Sequence, residues 1–150
     1  TCALPIYAGY TQVLWLDGVD RRYIEEVGAM NIFFVIGGEL ITPALQGSIL
    51  PGITRDTVLQ LGRGWGLTVS ERRIAIDEVL QAAETGALQE VFGSGTAAVI
   101  SPVGQIKYGE RVVAVADGKV GALSSRFYNA ITDIQYGRSQ DPHGWVVSVI

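Results

Sequence analysis

Two adjacent carboxylates, Glu25 and Glu26, stand just before an apolar segment that begins near Asn31. Neighbouring residues of a strand face opposite sides, so one glutamate can be solvated while the other points into the fold. A buried carboxylate needs a cationic or hydrogen-bonding partner, and that partner could be a ligand. The alternative is that both carboxylates lie at an exposed strand end.

A second segment that could do chemistry is 48–55, where the turn at Pro51-Gly52 leads into a helix. Free backbone N–H groups at a helix start bind anions well, and Thr54 can add a hydroxyl. The alternative is an ordinary helix start that binds nothing.

A third candidate is segment 92–98, FGSGTAA, whose small residues leave room for close backbone approach. Such a segment can form an anion-binding nest, and a plain β-turn is the alternative. Spacing alone does not show that the three segments meet.

The remaining chemical residues favour structural interpretations. The single histidine, His143, lies after Asp141-Pro142 and is predicted in a loop, and with one cysteine no metal site is expected. Arg72-Arg73 is expected to span the two faces of a strand. The three tryptophans are predicted to pack in the core because each lies within or beside an apolar run.

The totals describe a chain that can build one packed core. It has 150 residues, 48% of them hydrophobic, and a net charge of −4 without a long basic cluster, which disfavours nucleic acid as a partner. No apolar run reaches the ~18 residues that a membrane span needs. One cysteine and no signal-like start favour a cytoplasmic location.

The elements that must position these residues are predicted from periodicity and turn signals, and they mix strands and helices in one α/β or α+β domain. The expected strands are 13–16, 31–36, 39–42, 67–76, 91–92, 97–100, 112–115 and 145–150, with Gly93-Ser94-Gly95 interrupting two of them and Gly37-Gly38 turning a hairpin. One helix follows Gly52, a second is capped by Asp77 and stopped by Gly86, and a third carries Leu123, Phe127, Ala130, Ile131 and Ile134 and is closed by Gly137.

Four segments together closely resemble the branched-chain amino-acid aminotransferases: 12–17 (QVLWLD), 26–33 (EVGAMNIF), 49–55 (ILPGITR) and 92–97 (FGSGTA). Their order and separations match as well, and 134–137 (IQYG) adds to the likeness, which runs from about residue 8 to 150. The resemblance implies the type IV fold of pyridoxal 5'-phosphate enzymes, a mixed-strand pseudo-barrel large domain of the D-amino-acid aminotransferase-like fold.

The resemblance also implies roles for individual residues. Glu26 would face the pyridine nitrogen of the cofactor and keep it protonated, which makes the ring a better electron sink. Gly52, Ile53 and Thr54 would hold the phosphate, helped by Thr96. Backbone N–H groups of Thr96 and Ala97 would receive the substrate carboxylate.

Three departures limit what carries over. Ala29, a substrate-binding position, often has threonine in the family, so a hydroxyl contact is lost there. Ala98 and Ser101 stand where animal members carry a Cys-x-x-Cys pair, which suggests a bacterial-type member without thiol redox control. The family's Lys-x-Gly-Gly-Asn-Tyr segment, whose lysine holds the cofactor covalently, is absent, so no catalytic residue is expected in this chain.

The domain expectation follows from the same comparison. Residues 1–7 do not resemble the family and are interpreted as a foreign or truncated lead, and 8–150 are interpreted as the cofactor-binding large domain, without the amino-terminal domain.

The function implied for the intact parent is exchange of an amino group between leucine, isoleucine or valine and 2-oxoglutarate, in a homodimer. Glutamate and the branched-chain 2-oxo acids would then be partners. The chain alone is expected to be inactive. Alternatives are a related type IV enzyme, such as a D-amino-acid aminotransferase or an aminodeoxychorismate lyase, or a non-catalytic anion-binding or assembly module on the same fold.

Overall fold

A computed structural model describes Pro5 and residues 7–149. In chain order the elements are β1 Leu14–Leu16, β2 Ile24–Val27, β3 Met30–Ile36, β4 Glu39–Thr42, α1 Ile53–Gly64, β5 Thr68–Glu71, α2 Ile76–Glu84, β6 Leu88–Gly95, β7 Val99–Pro102, β8 Gln105–Tyr108, β9 Arg111–Ala114 and α3 Ala122–Gln135, with a short 3-10 turn at Ala116–Gly118 before α3. The prediction of one mixed α/β domain is confirmed.

A seven-stranded mixed sheet forms the centre of the molecule, and β3 lies in its middle. Along one edge β3 pairs antiparallel with β6, and along the other it pairs with β2 through its first residues and with β4 through its last. The outer strands are β1 beside β2, β5 parallel to β4, and β7 beside β6. The predicted 37–38 hairpin between β3 and β4 is confirmed.

Both faces of β3 are covered, which explains why its sequence is apolar almost throughout instead of alternating. Phe33 and Val35 pack on one face with α1 and α3, whereas Ile32 and Phe34 pack on the other with α2. Gly62 lets α1 approach closely, since a Cβ there would lie 3.2 Å from Leu40 Cδ2 and 3.3 Å from Val69 Cγ2. The face shared with α1 and α3 carries the candidate site.

The predicted strand 67–76 is too long, because residues 72–76 leave the sheet and bond the segment at the start of β2 instead. The strand ends at Glu71. Backbone bonds from Ile24 N–H to Ile74 C=O and from Ile76 N–H to Arg22 C=O then draw the chain across the start of β2.

The same redirection corrects two neighbouring predictions. The N-cap of helix α2 is Ala75, not Asp77 as predicted, and no N-cap side chain bonds the helix. Asp77 lies inside the first turn, where its negative charge interacts favourably with the helix dipole. Arg72 and Arg73 lie beyond the strand and do not span its faces. Arg72 pairs with Glu78, and the Arg73 guanidinium lies 3.5 Å from the Tyr23 ring centre.

Gly93-Ser94-Gly95 does not interrupt a strand, contrary to prediction. These residues belong to β6 because all three pair with β7, and Gly93 and Ser94 also pair with β3, which offsets the poor strand propensity of glycine. The turn comes later, at 96–98. The hairpin partner of β9, strand β8, is not among the predicted strands.

The predicted terminal strand 145–150 is wrong for its described part, since 145–149 form no strand. The Asp141 carboxylate instead accepts the N–H groups of Val146 (2.8 Å) and His143 (3.0 Å), which folds this segment into a loop. Those backbone donors lower the pKa of Asp141. His143 lies in this loop, as predicted. Its ring stacks on that of Trp145 with the ring centres 4.0 Å apart.

The tryptophan prediction holds for Trp65 and Trp145, which pack against the core beside α1 and α3. Trp15 is the exception, because 41% of it is exposed. Its indole N–H donates to the Gly28 carbonyl (2.9 Å) across the β1–β2 pair instead of entering the core. The interpretation of residues 1–7 as a foreign lead falls largely on residues outside those that the structure describes.

Candidate functional site

A row of paired residues crosses the sheet at one end. Glu26 on β2 is opposite Asn31 on β3, Asn31 is opposite Ser94 on β6, and Ser94 is opposite Ile100 on β7. Directly paired residues point to the same face of a sheet. Ile100 packs with α1 and α3, so the row lies on the face those helices cover.

The Glu26 carboxylate is held by two donors from outside its own strand. Its Oε1 accepts the backbone N–H of Leu50 (3.2 Å) and the side-chain amide of Asn31 (3.4 Å). Glu25 accepts the hydroxyl of Ser48 instead (2.7 Å). Both carboxylates are half-buried, so the interpretation that both lie at an exposed strand end is not supported.

Asn31 joins Glu26 to the chain that leads into α1. The residue is 5% exposed, and its Nδ2 also donates to the carbonyl of Leu50 (2.8 Å). A Cβ placed on Gly52 would lie only 2.3 Å from Asn31 Oδ1. The start of α1 therefore lies directly against the strand face where Asn31 and Gly52 meet.

The amino terminus of α1 carries backbone N–H groups that have no acceptor among the residues that the structure describes. Gly52 is the N-cap, no side chain of the described residues caps the helix, and the first intrahelical bond runs from Asp56 N–H to the Gly52 carbonyl (3.0 Å). The N–H groups of residues 53–55 come before that bond and have no intrahelical acceptor. Uncapped donors and the helix dipole together favour an anion at this point.

Arg55 and Glu71 fix the position of this helix start. The Arg55 guanidinium is almost fully buried and donates to Glu71 (2.8 Å) and to the carbonyl of Pro43 (3.0 Å), which ties α1 to β4 and β5. Arg63, further along the same helix, also bonds Glu71 (2.7 Å). The hydrogen bond from Arg63, assisted by Arg55, holds the pKa of Glu71 below its ordinary value despite partial burial.

Thr96 and Ala97 lie in the exposed turn between β6 and β7. The turn directly follows Gly95, and because β6 runs antiparallel to β3, it lies at the same end of the sheet as Asn31. The turn closes at Val99, which has a positive φ of 57°. The buried Ser94 hydroxyl, one step inside the turn, has no hydrogen-bond partner among the residues that the structure describes.

Ala29 is exposed in the β2–β3 turn and lines a cleft of about 250 Å³. The other lining residues are Pro5, Tyr10, Thr11, Gln12, Val13, Trp15 and Gly28. Glu26 and the start of α1 are not among them, so this cleft does not bring Ala29 together with those residues.

Chemically, the arrangement combines two groups: the Glu26 carboxylate, which accepts hydrogen bonds, and the uncapped start of α1, which favours an anion. Leu50 links them, since its N–H donates to Glu26 and its segment leads into the helix. Neither lysine belongs to the elements that form this arrangement: Lys107 lies in β8 of the separate two-stranded sheet, and Lys119 follows the 3-10 turn. Over the described ranges no cluster of three or more His, Cys, Asp or Glu residues could hold a metal ion. Within the same ranges no helix is long and apolar enough to cross a membrane.

Sequence reasoning named Glu26, Gly52 and Thr54, and the structure brings Glu26 and Gly52 together through Leu50 and Asn31. It missed Asn31 as a site residue. A signal was present, because Asn31 is the one polar residue in an otherwise apolar strand.

The chain is similar to known proteins over nearly its whole length. Residues 7–106 match the family described as amino-transferase class IV. The chain is 55% identical over 141 residues to branched-chain-amino-acid transaminase 1 of Bacillus subtilis (strain 168), covering 94% of this chain and 40% of that protein.

Solved structures agree with the sequence matches. Branched-chain amino acid aminotransferase from Escherichia coli superposes with a TM-score of 0.79 at 32% identity, covering 96% of this chain and 45% of that one. The T.th. enzyme of the same name, complexed with N-(5'-phosphopyridoxyl)-L-glutamate, gives 0.78 at 28% identity, covering 95% of this chain and 43% of that one. Its complex with 4-methylvaleric acid gives 0.79 at 28% identity, with the same coverage.

The chain spans about two fifths of the length of the curated relatives it matches. The named relatives to which the chain is similar are all branched-chain amino-acid aminotransferases. Because the family match covers two thirds of the chain, this chain belongs to the class IV aminotransferases.

Proposed function

We propose that this chain is the cofactor-binding large domain of a pyridoxal 5'-phosphate-dependent transaminase. The whole protein would exchange an amino group between leucine, isoleucine or valine and 2-oxoglutarate. The observation that carries the proposal is the adjacency of the Glu26 carboxylate and the uncapped start of α1, which meet through the Leu50 N–H at 3.2 Å.

The residues present fit a phosphorylated pyridine ring. The uncapped N–H groups at 53–55 and the Thr54 hydroxyl suit the phosphate dianion, and the Glu26 carboxylate suits a protonated ring nitrogen. The buried Ser94 hydroxyl, close to the 96–98 turn, has no hydrogen-bond partner among the described residues. Buried polar groups normally have one, so a polar ligand bound at this end of the sheet fits this position. When bound, the cofactor supplies the electron sink for the charge left by removal of the substrate Cα proton.

The roles proposed for this chain's residues are those that the family resemblance implies. Glu26 would hold the proton on the ring nitrogen, and Gly52, Ile53 and Thr54 would bind the phosphate together with Thr96. The N–H groups of Thr96 and Ala97 would orient the substrate carboxylate, and Ala29 would lie on the substrate side.

The substrate assignment is supported by what the T.th. enzyme binds. That protein is complexed in one structure with a phosphopyridoxyl adduct of L-glutamate and in another with 4-methylvaleric acid, which has the branched carbon skeleton of leucine. Both sides of the proposed exchange are thus represented by ligands of a related protein. This favours branched-chain substrates over those of other type IV enzymes.

We further propose that residues 8–150 form a pseudo-barrel large domain in a homodimeric parent, with the covalent lysine on another domain. Leu50 is 68% exposed and Ile53 87% exposed, and both border the start of α1. Large apolar side chains exposed beside a binding site are typical of a surface that another part of the assembly covers.

The proposal is tested by titrating the chain with pyridoxal 5'-phosphate and following tryptophan fluorescence. We expect Glu26→Gln to weaken binding about tenfold or more, because the substitution removes the charge opposite the ring nitrogen. Glu25→Gln is the matched control, since this neighbouring carboxylate bonds Ser48 and is given no cofactor role. Equal effects of the two variants, or no binding by the unsubstituted chain, would refute the proposal.

The phosphate half of the site is tested separately. We expect Thr54→Ala and Thr96→Ala each to reduce cofactor affinity by about 1.5–3 kcal/mol, the range for a lost hydrogen bond to a charged group. Thr57→Ala serves as the control one turn along α1, where the hydroxyl bonds the Ile53 carbonyl (3.0 Å). Unchanged affinity in the Thr54/Thr96 double variant would count against both roles.

A further inference from the structure

Asn31 occupies the point where the two halves of the proposed site meet. Its side-chain amide donates to Glu26 Oε1 and to the Leu50 carbonyl, while its Oδ1 lies against the Gly52 backbone. The residue is 5% exposed and sits on β3 with paired neighbours on both sides. One buried side chain thus contacts both the carboxylate and the segment entering α1.

The contacts form a closed set of hydrogen bonds. Leu50 donates its N–H to Glu26 and accepts at its C=O from Asn31, and Asn31 donates to Glu26 in turn. Each of the three groups therefore restrains the other two. The carboxylate cannot move relative to the helix start without breaking at least one of these bonds.

This geometry matters because a pyridine ring carrying a phosphate is a nearly rigid ligand. Its ring nitrogen and its phosphate are a fixed distance apart, so both are satisfied only when the carboxylate and the helix start keep the matching separation. Small errors in the placement of such groups cost affinity and rate out of proportion to the size of the displacement.

We infer that Asn31 is a positioning residue, which sets the distance between the Glu26 carboxylate and the anion-binding start of α1 so that one rigid ligand reaches both. The inference deepens the proposed function and rests on it. Asn31 itself makes no contact with the reacting atoms and acts through Glu26 and Leu50.

Three probes separate positioning from simple structural support. Inorganic phosphate reports on the helix start alone, pyridoxal without phosphate reports on the carboxylate alone, and pyridoxal 5'-phosphate needs both at the correct spacing. A positioning residue matters most for the ligand that joins the two sites, since linked groups gain affinity only where the geometry allows simultaneous contact.

We expect Asn31→Ser to weaken binding of pyridoxal 5'-phosphate about tenfold or more, and that of the two single probes less than about threefold. The pH at which bound pyridoxal 5'-phosphate changes its absorbance should fall by about one unit, because the displaced carboxylate holds the ring proton less firmly. Asn31→Leu, which keeps the approximate shape of the side chain, lacks the donor and adds no charge, should reproduce the affinity pattern and covers the case in which the serine variant does not fold.

Thr42→Val is the matched control. Its buried hydroxyl donates to the Ile32 carbonyl (2.7 Å), so the variant also removes a buried hydrogen bond from β3, one residue from Asn31, without touching the site. Thr42→Val should leave all three affinities unchanged. Hydrogen exchange at the Leu50 amide, which donates to Glu26, should accelerate in the Asn31 variants and not in Thr42→Val, with no ligand present.

The outcomes separate the inference from the function on which it rests. If the unsubstituted chain binds no pyridoxal 5'-phosphate, both the proposed function and this inference fail. If it binds, and the Asn31 variants weaken all three probes equally or none of them, the inference alone fails.

Discussion

The absence of one methyl group at position 52 sets how closely α1 can approach β3. Gly52 has φ −68° and ψ 137°, which any residue can adopt, so backbone strain does not demand glycine there. The demand is steric, because the added Cβ would overlap Asn31 Oδ1 at 2.3 Å. Glycine at this position therefore maintains the spacing on which the site depends.

We expect Gly52→Ala to destabilise the chain by about 1–3 kcal/mol, the usual range for overpacking, and to weaken pyridoxal 5'-phosphate binding. Gly64→Ala is the control at the other end of the same helix, where a Cβ meets nothing within 4 Å. That variant should be neutral or slightly stabilising, because alanine is the better helix former. Thermal unfolding and ligand titration measure both effects, and equal behaviour of the two variants would contradict the steric argument.

At the scale of elements, α3 depends on a cap supplied by a distant strand. The Glu90 carboxylate of β6 accepts the N–H groups of Leu123 and Ser124 (both 2.8 Å) and the Ser124 hydroxyl (2.9 Å). The N-cap residue of the helix is Gly121, which has no side chain and so cannot cap the helix itself. A Cβ on Gly121 would lie 2.0 Å from the Glu90 side chain. Glycine at this position therefore leaves the space in which the Glu90 carboxylate reaches the start of the helix.

We expect Glu90→Gln to lower the free energy of unfolding by about 1–2 kcal/mol, since a charged acceptor at a helix start is replaced by a neutral amide. Glu84→Gln is the control, because its ion pair with Arg111 is exposed and should contribute less than about 1 kcal/mol. Chemical denaturation gives both values. A loss at Glu90 no larger than that at Glu84 would show that the distant cap is unimportant.

The anchoring of α1 by Glu71 predicts a dependence of stability on pH. Arg63 and Arg55 lower the pKa of Glu71 in the folded chain, so its ionised form contributes stability at pH values above the ordinary pKa of 4.5. That contribution is lost as the pH falls below 4.5 and through the lowered folded value. The unfolding free energy should therefore decrease in this acidic range.

The comparison with Glu71→Gln isolates this contribution. At neutral pH the variant should be less stable by about 2 kcal/mol, because the buried Arg55 guanidinium loses its charged, partly buried partner. The difference from the unsubstituted chain should shrink as the pH falls below 4.5. A difference that stays constant across this range would contradict the assignment.

At the scale of the whole molecule, both lysines lie away from the proposed site. Lys107 and Lys119 are exposed, in the separate β8–β9 hairpin and after the 3-10 turn, whereas Glu26 belongs to the seven-stranded sheet that α1 covers. A lysine that reacts with a carbonyl is usually activated by burial or by a neighbouring cation. Neither lysine here is buried. This chain alone should therefore not catalyse transamination.

The prediction is checked by assaying leucine with 2-oxoglutarate and pyridoxal 5'-phosphate, and by borohydride reduction with mass mapping. We expect no turnover and no specific labelling of either lysine. Lys107→Arg and Lys119→Arg provide the controls for adventitious labelling. Turnover that disappears in one of these variants would overturn the argument that the catalytic lysine lies elsewhere.

The sequence by itself determined the family, the helices and most strands, because these depend on local signals. Helix α3 and strand β3 are indicated by the apolar stripe from Leu123 to Ile134 and by the apolar run 31–36. The hairpin between β3 and β4 is indicated by the adjacent glycines Gly37-Gly38. The motifs also named Glu26, Gly52 and Thr54. Their proposed roles came from resemblance, since spacing along a chain does not measure distance in space.

The tertiary structure decided what depends on partners far away in the chain. Residues 93–95 form a strand because all three pair with β7 and the first two also pair with β3. Residues 145–149 form no strand, and there the Asp141 carboxylate accepts the N–H of Val146. Asn31 became a site residue only when folding placed it between Glu26 and Gly52. The physical reason is the same in each case: a hydrogen bond or a close contact between distant segments outweighs a local preference of a few tenths to about 1 kcal/mol.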